Sequence, residues 1–234
     1  MQVEVWSDFV CPFCYIGKRR LEKALETFPH KNQVEVIFRS FELDPNAPKE
    51  GKQSMAEILA TKYRVSLEQA KGMCDNMAAQ AKQEELDYYF DTMIPRNSFD
   101  AHRVVHYASK HGKMNEMSER LFYAFFTESK DIANPDTLVT LASEVGLDGF
   151  DVLRMLTSDE HKKDVRNDEV LGSKLGIKGV PFFIFNKKYA VSGAQPLQVF
   201  QEVLEKSWNE NKDIEVVASE GEHCTADSCD VTKE

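Results

Sequence analysis

The stretch of sequence that decides the fold is Ser7-Asp8-Phe9-Val10-Cys11-Pro12-Phe13-Cys14. The residues before it alternate as in a strand, with Val3 and Val5 on one face and polar residues and Trp6 on the other. The residues after it follow the pattern of an amphipathic helix of about four turns that Pro29 closes. A C-x-x-C between a strand and such a helix is typical of a thioredoxin-like redox motif.

The chemistry of this motif follows from its place at the start of the helix. Pro12 suits the first helical position, because its missing N–H is not needed there. Cys11 is therefore predicted at the N-cap, where its sulfur would accept hydrogen bonds from the N–H groups of Phe13 and Cys14 and face the positive end of the helix dipole. Both effects stabilise a thiolate. We expect Cys11 to attack a substrate disulfide and Cys14 to resolve the mixed disulfide, with the basic residues 18–20 either adding to the field or forming a solvated face.

The composition excludes several classes of function. The 234 residues include 29 Lys and Arg against 39 Asp and Glu, for a net charge of −10. That balance disfavours binding to nucleic acid or to an anionic membrane. Apolar residues make up 42% and charged residues 29%, as in a globular protein, and the apolar runs are far shorter than the ~20 residues of a membrane span. The first eight residues lack the features of a secretory signal, so we expect a reducing cytoplasm, where spaced cysteines are more often catalytic or metal-binding than structural.

The rest of the chain predicts an α/β protein with a thioredoxin-like fold that a large all-helical insertion splits. A second strand covers residues 34–39, helical periodicity runs from 54 to about 170, and a hairpin covers 180–191 before a helix that Pro196 opens. We therefore predict a thioredoxin-like domain formed by residues 1–45 and 171–210, and a helical lid formed by residues 46–170. A polar C-terminal tail, residues 211–234, carries two further cysteines.

Four ordered segments resemble the DsbA family, and more narrowly its FrnE-like cytoplasmic branch. They are Ser7 to Gly17, Phe41-Glu42-Leu43-Asp44-Pro45, Asn97-Ser98-Phe99-Asp100-Ala101-His102-Arg103 and Gly179-Val180-Pro181-Phe182-Phe183. The resemblance spans roughly residues 2 to 210 and implies a thiol–disulfide oxidoreductase with Cys11 as nucleophile and Cys14 as resolving thiol.

The same resemblance implies further site residues. Pro181 would be cis and face the dithiol as part of the catalytic site, and the backbone of Val180 would pair with an extended substrate. Asn97 and His102 would lie on the lid and face the cleft. We assign Pro12 and Phe13, between the two cysteines, to substrate binding and to tuning the redox potential.

Four features leave alternatives open. Cys224 and Cys229 are interpreted as a second redox pair, with exposed thiols or a metal site with His223 as alternatives. Cys74 is expected to pack in a helix. Asp8 is either a proton acceptor for Cys14 or a turn residue. His102 and His106 stand four apart and are expected on a helix face or in the core rather than as metal ligands.

The leading hypothesis is a cytoplasmic thiol–disulfide oxidoreductase, with net reduction expected. Its partners would be protein or small-molecule disulfides and a cytosolic thiol donor or acceptor, with no cofactor and no metal. The alternative is a glutathione-dependent isomerase or transferase of the 2-hydroxychromene-2-carboxylate isomerase or kappa glutathione transferase type, which usually carries Ser at the first catalytic position. A third hypothesis is a metal-storage or chaperone-like binding protein that uses the tail thiols and the helical groove.

Overall fold

The fold contains a four-stranded sheet, and Cys11 and Cys14 follow its first strand. The computed structural model describes residues 1–210, and its sheet has the strand order β2-β1-β3-β4. Strand β1 (Gln2–Ser7) pairs in parallel with β2 (Glu35–Ser40) and antiparallel with β3 (Phe182–Phe185), which in turn pairs antiparallel with β4 (Tyr189–Ser192). The predicted thioredoxin-like arrangement is confirmed: the first strand is central and its second neighbour comes from the far end of the chain.

Helices cover both faces of this sheet. The helices are α1 (Pro12–Thr27), α2 (Met55–Tyr63), α3 (Leu67–Gln83), α4 (Phe99–Lys110), α5 (Met114–Phe126), α6 (Pro135–Glu144), α7 (Gly149–Leu156), α8 (Lys162–Lys174) and α9 (Leu197–Asn209). The helical pattern predicted between residues 54 and 170 is confirmed for most of that range, but residues 84–98, between α3 and α4, contain no helix, so the prediction is wrong for that segment. The predicted domain boundary between residues 170 and 171 falls inside α8, and the division into two domains stays a prediction.

Helix α8 is bound tightly to the sheet. The Trp6 indole N–H donates to the backbone oxygen of Asp168 at 3.0 Å, and the Asp168 carboxylate accepts from the backbone N–H of Ser40 at 3.0 Å. Gly172 permits this approach, because a Cβ there would lie 2.9 Å from the Trp6 Nε1. As a result Trp6 is fully buried, and the face of β1 predicted to carry polar residues is covered.

Arg103 ties helix α4 to the junction of α7 and α8. Its guanidinium is 1% exposed and forms an ion pair with Asp100 at 2.8 Å. It also donates to four backbone oxygens, those of Met155, Leu156, Ser158 and Glu160. A rigid planar group with several donors suits such a cluster of carbonyls, so one side chain fixes the turn between two helices.

The basic residues of α1 form ion pairs with acidic residues of α5 and of the segment after α3. Lys18 is buried and pairs with Glu22 and with Glu119 of α5, Arg19 donates to Glu119 at 2.7 Å, and the Tyr15 hydroxyl donates to the same carboxylate at 2.7 Å. Arg20 pairs with Glu84 at 2.6 Å. The expectation of a solvated face is therefore wrong, since residues 18–20 are paired with carboxylates and Lys18 is buried, while their contribution to the field at the dithiol stays a prediction.

This network predicts a stability that depends on pH. Burial alone would raise the pKa of Glu119, but Lys18, Tyr15 and Arg19 outweigh it and lower the pKa below the ordinary value of 4.5. A lowered folded-state pKa stabilises the protein above the unfolded-state value, and the stabilisation is lost as the pH falls through the folded-state value. We expect the wild-type Tm to fall more steeply than that of Glu119→Gln as the pH is lowered from about 5 toward 3. Equal slopes would contradict this, and Glu26→Gln, at an exposed position of α1, is the control.

No helix within residues 1–210 has both the length and the apolar character that crossing a membrane requires.

Candidate active site

The dithiol lies where β1 passes into α1. Cys11 is the N-cap residue with φ −91° and ψ 114°, and Pro12 occupies the first turn, as predicted. The turn is closed by two backbone hydrogen bonds, from the Cys11 N–H to the Asp8 oxygen at 3.1 Å and from the Cys14 N–H to the Cys11 oxygen at 3.0 Å. Both thiols are free, with Cys11 5% and Cys14 1% exposed. Both cysteines are therefore buried at the start of the helix, and Cys14 is the more deeply buried of the two.

The Cys11 thiol points at the backbone before Pro181. Its Sγ donates to the Val180 oxygen across 3.7 Å, and the Val180–Pro181 peptide bond is cis, as the resemblance implied. The expected hydrogen bonds from the first-turn N–H groups to the Cys11 sulfur are absent among the described residues. The reason is that the Cys14 N–H is taken by the Cys11 backbone oxygen, while the thiol is a donor and turns to the nearest carbonyl.

Cys14 is held in its thiol form. Burial raises the pKa of Cys14 well above its ordinary value, and the neighbouring Cys11 raises it further, whereas hydrogen bonding from Ser7 and the Asp8 backbone acts in the opposite direction. A thiol with a raised pKa is a poor nucleophile at neutral pH. Cys14 thus suits a second step, in which it attacks a sulfur brought into contact with it.

A cleft of about 630 Å³ opens beside Cys11, between the start of α1, the 43–53 segment and α2. Cys11, Pro12, Phe13 and Val180 all line it. Much of the rest of the wall is apolar and includes Val10, Leu43, Met55, Ile58, Leu59 and Tyr63. The Phe13 side chain is 38% exposed. The cleft therefore offers an apolar surface to whatever group carries a disulfide to Cys11.

Asn97 and His102 lie behind the wall of this cleft. Asn97 is buried, and its Nδ2 donates to Glu42 at 3.2 Å. His102 is also buried, with its Nε2 3.7 Å from an oxygen of Asp8, while the other oxygen of Asp8 accepts from the Leu43 N–H at 2.7 Å. These contacts hold the 42–43 segment in place. Asp8 thus has the contacts of a turn residue, and its role as proton acceptor for Cys14 stays a prediction.

The other residues singled out from the sequence lie elsewhere. His106 lies 3.0 Å from the Ser40 hydroxyl, away from the Asp8 contact of His102. Cys74 is buried in α3, as predicted, and burial raises its pKa. Within residues 1–210 no group of three or more His, Cys, Asp or Glu side chains is placed to hold a metal ion. Cys224, Cys229 and His223 lie outside the described residues.

Tyr88 is a site residue that the sequence analysis missed. It lies in the segment between α3 and α4, and its hydroxyl donates to the Pro12 oxygen at 2.8 Å. Its ring stacks on Phe126 at 4.3 Å between centroids, and only 8% of the residue is exposed. The sequence analysis placed the run Tyr88-Tyr89-Phe90 within a continuous helical pattern, and three adjacent aromatic residues were the signal that this segment packs on another surface.

Replacing Tyr88 with phenylalanine tests this contact. The ring packing stays and one buried hydrogen bond is lost, so we expect Tyr88→Phe to lower the free energy of unfolding by about 1 kcal/mol in urea titrations. Tyr89→Phe removes the same hydroxyl from a side chain that is 53% exposed and should stay within about 0.5 kcal/mol of wild type. Equal effects from the two variants would contradict a specific role for the Tyr88 contact.

Comparison with known proteins identifies a family. The model of the DSBA-like thioredoxin domain matches residues 2–205. The solved structure of a probable DsbA oxidoreductase from Streptomyces coelicolor is 39% identical, with a TM-score of 0.87 and full coverage of both chains.

Two more distant structures share the fold. A 2-hydroxychromene-2-carboxylate isomerase has a TM-score of 0.69 at 14% identity, covering 90% of this chain and 98% of its own. A cytosolic disulfide reductase, DsbM from Pseudomonas aeruginosa, has a TM-score of 0.63 at 16% identity, covering 90% of this chain and 100% of its own.

Proposed function

This chain belongs to the family of DSBA-like thioredoxin domains, and on that premise we propose that it is a thiol–disulfide oxidoreductase acting through Cys11 and Cys14. One observation carries the proposal: the Cys11 thiol lies at a cleft, 3.7 Å from the Val180 oxygen, with the Cys14 thiol buried directly behind it. A first sulfur beside a cleft and a second one in contact with it are the two parts that stepwise exchange needs.

The reaction transfers two electrons to the substrate. The Cys11 thiolate attacks one sulfur of a substrate disulfide, forms a mixed disulfide and releases the other substrate sulfur as a thiolate, which takes up a proton. Cys14 then loses its proton and attacks the Cys11 sulfur, which closes the Cys11–Cys14 disulfide and releases the second substrate thiol. A thiol donor reduces the new disulfide and returns the protein to its starting state.

The cleft supports a disulfide carried on an extended or apolar group as the substrate. Pro12 and Phe13 would contact that group, and the Val180 carbonyl, which accepts from Cys11 in the free protein, would pair with substrate backbone. Asn97 and His102 would act indirectly, since both are buried behind the wall that they hold. Protein and small-molecule disulfides both meet this description, and the reaction needs no cofactor.

The cytoplasm is the compartment that we propose, with net reduction as the direction. A cytosolic disulfide reductase shares the fold, and its structure has also been solved with glutathione, which supports a small thiol as the electron donor. We further propose that Cys224 and Cys229 exchange electrons with the Cys11–Cys14 pair. The support for that second pair is its sequence spacing.

The isomerase hypothesis has the shared fold in its favour, because a 2-hydroxychromene-2-carboxylate isomerase resembles this chain over most of its length. The dithiol argues for exchange instead. An isomerase that uses glutathione has no step for a resolving thiol, whereas here a second cysteine lies one turn from the first, in contact with it.

A single-turnover experiment separates the two. We expect the fully reduced chain, mixed with excess oxidised glutathione or insulin and no donor, to yield a peptide with Cys11 linked to Cys14 in mass spectrometry. The chain truncated before Cys224 should give the same linkage, and slower recovery with a thiol donor would support a relay through the tail. Recovery of Cys11 and Cys14 as free thiols after incubation would overturn the proposed function.

A further inference from the structure

Gly17 is a buried glycine in the middle of α1, one turn beyond Cys14. Glycine inside a helix is less favourable than alanine, so we expect a packing or functional constraint at this position. A Cβ at this position would lie 3.0 Å from the Cγ of Pro181 and 3.1 Å from the Cζ of Phe183. The backbone of α1 therefore lies against the chain directly after Val180, and a methyl group fits there only if a neighbour shifts by a few tenths of an ångström.

The two neighbours of Gly17 differ in how far they can move. Phe183 is fully buried, packs edge-on against Phe200 at 4.8 Å, and belongs to β3, which is paired on both sides. Val180 and Pro181 precede the first strand residue and lie outside the paired stretch of β3, where a backbone hydrogen bond from the Gly193 N–H to the Pro181 oxygen at 2.8 Å holds them. A group added at position 17 would thus displace the Val180–Pro181 segment by a few tenths of an ångström, because the Phe183 ring cannot retreat.

We propose that Gly17 is a positioning residue for the dithiol site, an inference that rests on the proposed function. The contact between its Cα and the Pro181 ring sets the separation of α1 from the Val180 carbonyl. That carbonyl is the acceptor of the Cys11 thiol, so the same separation sets the hydrogen bond of the nucleophile. In the mixed disulfide it sets the place of the substrate backbone relative to the Cys11 sulfur.

Two other glycines provide matched controls. Gly172 lies in α8, and its Cβ would press on the Trp6 indole at 2.9 Å, on the face of the sheet opposite to Phe183; neither Gly172 nor Trp6 lines the cleft. Gly72 is exposed in α3, and its Cβ would meet nothing within 4 Å. Gly172→Ala thus introduces a similar packing conflict away from the thiols, and Gly72→Ala introduces the same methyl group without a conflict.

The experiment measures the three alanine variants in the full-length chain. We expect Gly17→Ala to lower kcat/KM for disulfide reduction by about tenfold and to shift the pH profile of Cys11 alkylation by iodoacetamide. Gly172→Ala should lower the Tm, while its kcat/KM stays within about twofold of wild type and its alkylation profile is unchanged. Gly72→Ala should leave kcat/KM and the alkylation profile unchanged and keep the Tm at or above that of wild type. The alkylation profile needs no turnover, so it separates this inference from the proposed function.

Gly17→Ala behaving like Gly172→Ala, with a lowered Tm but unchanged alkylation and kcat/KM, would overturn the inference. If Gly17→Ala does not fold, the double variant Gly17→Ala/Phe183→Leu relieves one of the two contacts and is compared with Phe183→Leu alone. A lower kcat/KM in the double variant supports the inference, since the Pro181 contact remains. Equal values in the two would overturn it.

Discussion

Cys11→Ser is expected to lose disulfide reduction almost completely, with kcat/KM falling by roughly three orders of magnitude or more, as when an enzyme loses its nucleophile. A hydroxyl neither ionises near neutral pH nor exchanges with a disulfide, while its size and its hydrogen bond to the Val180 oxygen are compatible with an unchanged fold. The measurement is turnover of a protein disulfide with dithiothreitol as donor, together with the Tm, which should stay close to wild type.

Cys14→Ser separates the two roles of the dithiol. In this variant Cys11 can still attack the substrate disulfide, but no thiol at position 14 resolves the product. We therefore expect a mixed disulfide between Cys11 and the substrate to accumulate and to be visible on a non-reducing gel. Cys74→Ser removes a buried cysteine of α3 and is the matched control for losing a thiol, with activity retained per folded molecule. Retained turnover in Cys11→Ser, or a trapped adduct on Cys74, would reject the assignment of the nucleophile.

Arg103→Met is the substitution with the largest expected effect on stability. It leaves the Asp100 carboxylate with the exposed Lys49 as its cationic partner and removes a donor from four backbone oxygens, of which that of Met155 still accepts from Ser158. Removing one member of a buried ion pair costs about 3–5 kcal/mol; Lys49 offsets part of this cost, and the carbonyls that lose their donor add to it. We expect the urea midpoint to fall accordingly, or the protein to be insoluble at 37 °C.

Two further variants show whether the geometry of the guanidinium matters. Arg103→Lys keeps the charge but cannot serve several carbonyls at once, so it should recover only a small part of the loss. Arg154→Met breaks an exposed i,i+3 pair with Asp151 and should cost less than about 1 kcal/mol. A change below 1 kcal/mol in Arg103→Met would contradict the role of this residue in joining α4 to the α7–α8 turn.

Local patterns predicted most of the elements. The alternation at Val3 and Val5, the proline after Cys11 and the apolar run before Asn186 each encode one strand or helix, and each was found where the pattern placed it. What local patterns do not encode is which distant surfaces meet. Trp6 was expected on the polar face of β1, yet α8 covers it, since a glycine 166 positions later leaves room for its indole.

The site was predictable where it lies within one segment. Cys11 and Cys14 were identified from their position at a helix start, and Pro181 from the resemblance. Tyr88 and Gly17 were not, because each acts through a contact with a residue far away in the chain. The ion pairs of the basic residues 18–20 were missed for the same reason, because their partners Glu119 and Glu84 lie far along the chain and no local pattern predicts these contacts.

The order of the strands has a consequence for how the protein is made on the ribosome. β1 is synthesised before the other strands and lies inside the sheet, but its antiparallel neighbour β3 follows only after helices α2 to α8. Cys11 and Val180 are 169 positions apart, which at about 5–20 residues per second means on the order of ten to thirty seconds of translation. Until β3 has been synthesised, the edge of β1 that pairs with it has no partner, and the Cys11 thiol lacks the Val180 oxygen as its acceptor.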